Sequence, residues 1–144
     1  MATVLSRNFT LEEMTASRVA KERRIKNVPD TQAVAYLTAL CTAVLQPLRD
    51  AMGEPIPVTS GYRCAKLNAA VGGVANSQHT RGQAADLGIG GDNAKGREWV
   101  RWIADNCDFD QLIWEHDKAG TYWVHVSYNP SGNRRQIYNN YEKA

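Results

Sequence analysis

Two segments constrain this chain more than anything else in it: Ser77-Gln78-His79-Thr80-Arg81-Gly82-Gln83-Ala84-Ala85-Asp86 and, far downstream, Trp123-Val124-His125-Val126-Ser127. They hold two of the three histidines, His79 and His125, together with one acid, Asp86. Two imidazoles and one carboxylate can hold a metal ion and leave a coordination position open, as catalytic zinc sites do; structural sites are closed by four protein ligands. A fold that uses them must lay distant segments side by side. Strand alternation shows how. Over Ala84 to Ile89, one face carries Ala85, Leu87 and Ile89, and the other carries Ala84, Asp86 and Gly88. Over Tyr122 to Tyr128, Val124 and Val126 fit a core face, while Trp123, His125 and Ser127 share the opposite one. Asp86 and His125 then lie on the same side of neighbouring strands. His79 comes from the preceding loop, where Gly82 permits a tight turn. Taken singly, each residue reads as a loop histidine, a sheet histidine or a turn cap; the pattern around them carries the weight.

The remaining sequence bounds the setting. At 144 residues the chain is expected to form one domain, residues 1–144, with enough length for a real core. Lys+Arg 17 against Asp+Glu 15 is too balanced to argue for a nucleic-acid partner. No apolar run approaches the roughly 18 residues needed to span a bilayer, so stable membrane insertion is not expected. Met1 to Phe9 has no apolar signal segment. The expectation is a chain made in the cytoplasm that reaches an outside target only by release or with another protein's help. Cys41, Cys64 and Cys107 are odd in number and widely spaced, which argues for reduced thiols and against a thiolate metal site.

Local signals give an α+β outline. Thr10-Leu11-Glu12-Glu13 has the form of a helix start, with the Thr10 hydroxyl accepting from the Glu13 N–H, and predicts a short helix over 11–17. Arg18 to Val28 is basic and polar and reads as a solvated connection. Val34, Leu37, Leu40, Cys41, Val44, Leu45 and Leu48 recur at helical spacing and predict a core helix over 30–52, kinked or ended near Pro47. Strands are predicted over 56–60, 84–89, 111–115 and 122–128. Helices are predicted over 64–71 and from Asp92 or Asn93 to about 106, the second with Trp99, Val100, Trp102 and Ile103 on its apolar side. His116 falls in the loop 116–121, and residues 129–144 read as a polar surface tail. Early helices and late strands predict helices packed on a small, mainly antiparallel sheet.

At Ser60-Gly61-Tyr62-Arg63, Leu67-Asn68, Val71-Gly72-Gly73, Ser77 to Asp86, Phe109 to Glu115 and Trp123 to Ser127, the chain resembles the zinc D-Ala-D-Ala carboxypeptidase and peptidoglycan endopeptidase family, in its small single-domain form. Phe9-Thr10-x-x-Glu13 and Leu45-Gln46-Pro47-Leu48-Arg49 agree as well, so the likeness runs over most of the chain in the family's order. It implies a fold shared with the hedgehog signalling domain and Zn²⁺ held by His79, Asp86 and His125. It also implies Glu115 as the base that activates water, Arg63 as a substrate-gripping or oxyanion-steadying cation, and Ser77 as a substrate contact. One departure stands out: many relatives carry an acid three residues before the final histidine, where this chain has Tyr122. Trp114 and Trp123 could line the cleft or serve as packing.

The implied activity is metal-assisted hydrolysis of a peptide bond in bacterial peptidoglycan. An endopeptidase resembling phage lysis enzymes comes first. A D-Ala-D-Ala carboxypeptidase, or a metal-bearing binding or structural module without hydrolysis, is the alternative. The expected partner is a wall peptide, and the expected state is a monomer.

Overall fold

The computed structural model describes residues 2–143. A small hairpin opens the chain, β1 (Val4–Ser6) against β2 (Phe9–Thr10). Thr10 caps α1 (Leu11–Thr15) as its hydroxyl predicts, accepting from Glu13 N at 3.1 Å. The next stretch corrects the sequence reading: Arg18–Glu22 is a helix, α2, and not a solvated connection. Its cause is local, since the Ser17 hydroxyl accepts from Ala20 N and Ala20 is buried beneath the basic residues.

The long apolar stripe forms one helical rod in three parts. α3 (Thr31–Leu40) begins at Asp30, whose carboxylate accepts from Ala33 N at 2.8 Å. A π turn over Cys41–Leu45 follows, and then α4 (Gln46–Met52). Pro47 neither ends nor breaks the rod. It has no N–H to give, and the wider turn just before it closes through Gln46 N to Cys41 O instead. Leu37, Leu40, Cys41, Val44, Leu45 and Leu48 are all fully buried on it.

β3 (Val58–Ser60), α5 (Ala65–Ala70) and β4 (Ala84–Gly88) follow. Then come α6 (Asn93–Asn106), capped by Asp92, and strands β5 (Gln111–His116), β6 (Tyr122–Ser127) and β7 (Gln136–Glu142). The main sheet has the order β3-β4-β6-β5-β7. It is antiparallel except for the β5–β7 pair, which is parallel. This is the α+β architecture expected, with two corrections. Residues 136–142 are an edge strand rather than a surface tail, and His116 closes β5 rather than opening a loop.

Alternation divides the sheet. Ala85 and Leu87 of β4, Val124 and Val126 of β6, and Leu112 and Trp114 of β5 turn to the helices and join one core with Trp99, Ile103 and Phe109. Gly96 of α6 lets that helix close on the sheet: a Cβ there would stand 2.5 Å from the Trp114 ring. Trp114 is therefore packing and stacks on Tyr122 behind the sheet. The opposite face carries the site. The cysteines are free; Cys41 and Cys107 are buried and Cys64 is half-buried. Burial pushes the Cys41 thiol up to about 12, which leaves it inert. Among the described residues, no helix is long and apolar enough to cross a membrane.

Candidate functional site

Register brings the first two site residues together. Asp86 on β4 pairs with His125 on β6, and His125 in turn faces Ile113 on β5. His125 Nδ1 lies 2.9 Å from Asp86 Oδ1. The third residue enters from a 3₁₀ turn over Gln78–Arg81, just before β4. Ser77 caps that turn, its hydroxyl accepting from His79 N at 3.2 Å, and Gly82 closes it at φ +77. His79 is 3% exposed and sits with Nε2 at 3.4 Å from the same Asp86 oxygen.

The tautomer of His79 follows from its other nitrogen. Nδ1 is 2.7 Å from the Gly61 carbonyl oxygen, and a carbonyl only accepts. Nδ1 therefore carries the hydrogen, and the Nε2 lone pair points to the shared centre, the support that metal-binding histidines ordinarily have. The donor atoms of His79, Asp86 and His125 lie within 4.8 Å of one another. Two donors on one tetrahedral zinc stand about 3.3 Å apart, from bond lengths of about 2.0–2.1 Å, so the separations of 3.4 and 2.9 Å already approach that geometry. Nitrogen and oxygen donors of this kind suit zinc, and three of them leave a position open. Burial alone would favour neutral Asp86, but the two imidazoles outweigh it and hold the carboxyl well below its usual range.

Around this centre lies a cleft of about 550 Å³ lined by Arg63, Ser77, Glu115 and Trp123 among others. Glu115, near the end of β5, lines it from the neighbouring strand, opposite Trp123. Burial raises its carboxyl above the usual value, and the Asp86 charge adds to that. His125, Lys143 and the Trp123 indole oppose the rise, although the indole N–H falls short of a full hydrogen bond. Arg63 follows β3. Its backbone N–H donates to His79 O at 3.0 Å, and Nη2 donates to Ser77 Oγ at 3.3 Å. Its Nε is buried with no hydrogen-bond partner among the described residues. The Ser77 hydroxyl thus serves two donors, His79 N and Arg63 Nη2, while still lining the cleft. A second cavity of about 280 Å³ lies against the first and shares Arg63, Asp86 and Lys143 with it.

The structure places His79, Asp86, His125, Glu115, Arg63 and Ser77 around one cleft. His116 turns away from Glu115 and packs on Tyr122 with ring centroids 4.8 Å apart. Four supporting or lining residues escaped the sequence reading. Asn27 holds the arginine segment, donating to Thr15 O and Tyr62 O at 2.9 Å each and accepting from Cys64 N at 2.8 Å. Asp110 accepts from Gln78 Nε2 at 2.6 Å and from Arg134 at three atoms, so it ties the histidine turn to the segment leading into β7. Tyr138 and Tyr141 of β7 form a cleft wall. A lone asparagine, one acid and scattered tyrosines carry no pattern; their partners are distant in sequence.

Comparison with known proteins bears on the same residues. The zinc D-Ala-D-Ala carboxypeptidase of Streptomyces albus G is 50% identical over 60 residues, which cover 40% of this chain and 24% of that protein. The match thus spans about a quarter of the relative's length. The sequence model of peptidase M15 fits residues 7–127, from β2 to the end of β6 and including all three metal-binding candidates. On that extent, the chain belongs to the peptidase M15 family.

Proposed function

We propose that this protein is a zinc metallopeptidase that cleaves an internal peptide bond of bacterial cell-wall peptides. Family membership and the zinc carboxypeptidase relative support peptide hydrolysis. The observation that supports the endopeptidase reading is a second cavity that adjoins the cleft at Asp86. The larger cavity runs along the sheet, and the smaller continues past Arg63, Asp86 and Lys143 toward Ser17 and Thr59. A chain can pass through such a groove, whereas a carboxypeptidase needs a stop at the terminal carboxylate.

In this reading His79 Nε2, Asp86 and His125 Nδ1 hold the zinc. Bound there, zinc polarises the amide carbonyl and acidifies a water molecule. Glu115 takes the proton of the attacking water, and its raised proton affinity, from burial and the Asp86 charge, suits that task. The same carboxyl then gives the proton to the leaving amine. Arg63, which lines the cleft and is partly desolvated, donates from its guanidinium toward the oxygen on which negative charge develops. Ser77 keeps the arginine and the His79 turn in register.

The test is a pair of wall peptides, one ending in free D-Ala-D-Ala and one blocked as an amide at its C-terminus. An endopeptidase cuts both at an internal bond. Release of terminal D-Ala from the free peptide alone makes the protein a carboxypeptidase and overturns the groove argument. Intact peptides with zinc-loaded, folded protein would remove hydrolysis from the account.

A further inference from the structure

The family match stops at Ser127, yet the cleft does not. Its outer wall is β7, which the sheet adds at its edge beside β5. Register sets what β7 presents. Gln111 pairs with Gln136 and Ile113 with Tyr138, but Glu115 pairs with Tyr141, so β7 carries one extra residue between those points. A one-residue bulge reverses the faces of everything after it. Without it Asn140 would face the cleft. With it Asn140 turns away and accepts from Tyr122 Oη at 3.1 Å behind the sheet. Tyr141 and Lys143 turn to the cleft beside Tyr138.

Lys143, like Arg63, lies where the two cavities meet, but differs from it in what holds its charge. It lines both cavities, its charge acts on Glu115, and its backbone N–H is pinned to His116 O at 2.8 Å. The other cleft cations are engaged. Arg134 is clasped by Asp110, Arg81 donates to Gln83 Oε1 and Asn76 O, and Arg63 donates to Ser77. The Lys143 ammonium makes no hydrogen bond or ion pair among the described residues, and the residue is only half-exposed. A half-buried cation without a partner at the meeting point of two ligand cavities is arranged for an anion.

We propose that Lys143 binds a free carboxylate of the substrate peptide next to the cleaved amide, with Tyr138 and Tyr141 as the shelf beside it, so that the C-terminal strand sets specificity. The inference rests on the peptidase reading above. Wall peptides can offer two such carboxylates away from their ends: the α-carboxylate left free by a γ-linked D-glutamate, and the second carboxylate of a diamino dicarboxylic acid where the peptide carries one. Both are removed by amidation, which keeps shape and cancels charge. A charge-assisted hydrogen bond lost in this way costs roughly tenfold or more in affinity or turnover.

The experiment uses three synthetic stem peptides: both carboxylates free, the glutamate amidated, and the diamino acid amidated. Values of kcat/KM for the wild type are compared with those for Lys143→Met and Lys143→Arg. The expected result is that the wild type disfavours one amidated peptide by about tenfold or more, that Lys143→Met erases this preference, and that Lys143→Arg keeps most of it. The peptide disfavoured names the carboxylate. A Lys143→Met variant that loses equally on all three peptides, or a wild type that treats them alike, overturns the proposal. Calorimetric binding of the same peptides to zinc-loaded Glu115→Gln protein, with and without Lys143→Met, gives a readout independent of turnover. If the wild type cuts none of them, the peptidase reading falls, and a Lys143-dependent preference in binding still sustains the carboxylate site. Equal or absent binding overturns it.

Discussion

Replacing Asp110 by Ala should cost this fold about 2–3 kcal/mol, and the cost should depend on pH in a defined way. Asp110 is 3% exposed and accepts from Arg134 N and Nε at 2.9 Å each, from Arg134 Nη2 at 2.6 Å and from Gln78 Nε2 at 2.6 Å. Those bonds, Arg134 foremost, pull its carboxyl from 3.8 to about 2. At about 1.4 kcal/mol per pH unit the pull is worth about 2 kcal/mol. The Arg134 side chain is 55% exposed, and solvent screening reduces the ionic share to about 1–2 kcal/mol. Leaving the Gln78 amide without its acceptor adds about 1 kcal/mol. For a chain of this size the Tm should fall by about 5–10 °C. Because the folded value is depressed, the ionic share is complete above about pH 4 and is lost as pH falls through about 2; near pH 3 about half remains. The assay is urea or thermal unfolding of wild type and Asp110→Ala between pH 7 and pH 3, both in chelator so that metal binding does not enter. The gap should narrow steadily below pH 4. A gap that stays constant over that range would show that packing, not the ionised clasp, holds Gln78 and Arg134.

Three further expectations follow from the site. Glu115→Gln should retain zinc, measured by metal analysis, and lose about 10²-fold or more in turnover; near-full activity would remove it as the base. Gly82→Ala should destabilise by at least about 2 kcal/mol in urea unfolding, since a side chain at positive φ is strained and its Cβ would stand 2.5 Å from the Ala33 carbonyl oxygen; a cost below 1 kcal/mol would contradict the tightness of the turn that carries His79. Zinc at about a hundredfold over its Kd should stabilise the metal-free wild type by about 2.7 kcal/mol, seen as a rise in Tm. His125→Ala should show no such rise.

The site was legible where chemistry imposes pattern. His79, Asp86 and His125 stand at fixed offsets from glycine and small residues, and strand alternation alone put Asp86 and His125 on one face. The long helical rod was legible for the same reason, because its apolar stripe from Val34 to Leu48 repeats for about four turns. What escaped was held by partners remote in sequence. α2 has only Val19 and Ala20 as apolar residues; its start signal, Ser17, was present but outweighed by the run of basic residues. β7 has no apolar alternation, because an edge strand over an open cleft buries little of either face. It is placed by Asp110 gripping Arg134 and by ladder bonds to β5, and neither can be read from Gln136 to Glu142 alone. The Pro47 signal was real, but the rod absorbs the missing N–H in a π turn rather than ending.

The central claim is that His79, Asp86 and His125 make this chain a metal-dependent peptidase of the cell wall. Mass spectrometry of purified peptidoglycan after incubation with the protein, with and without a chelator, tests it most directly. The account predicts new peptide ends that appear with zinc-loaded protein and vanish with chelator, their masses placing the cut at an internal bond. Unchanged peptidoglycan from folded, zinc-loaded protein, or cleavage that persists in chelator, would contradict it.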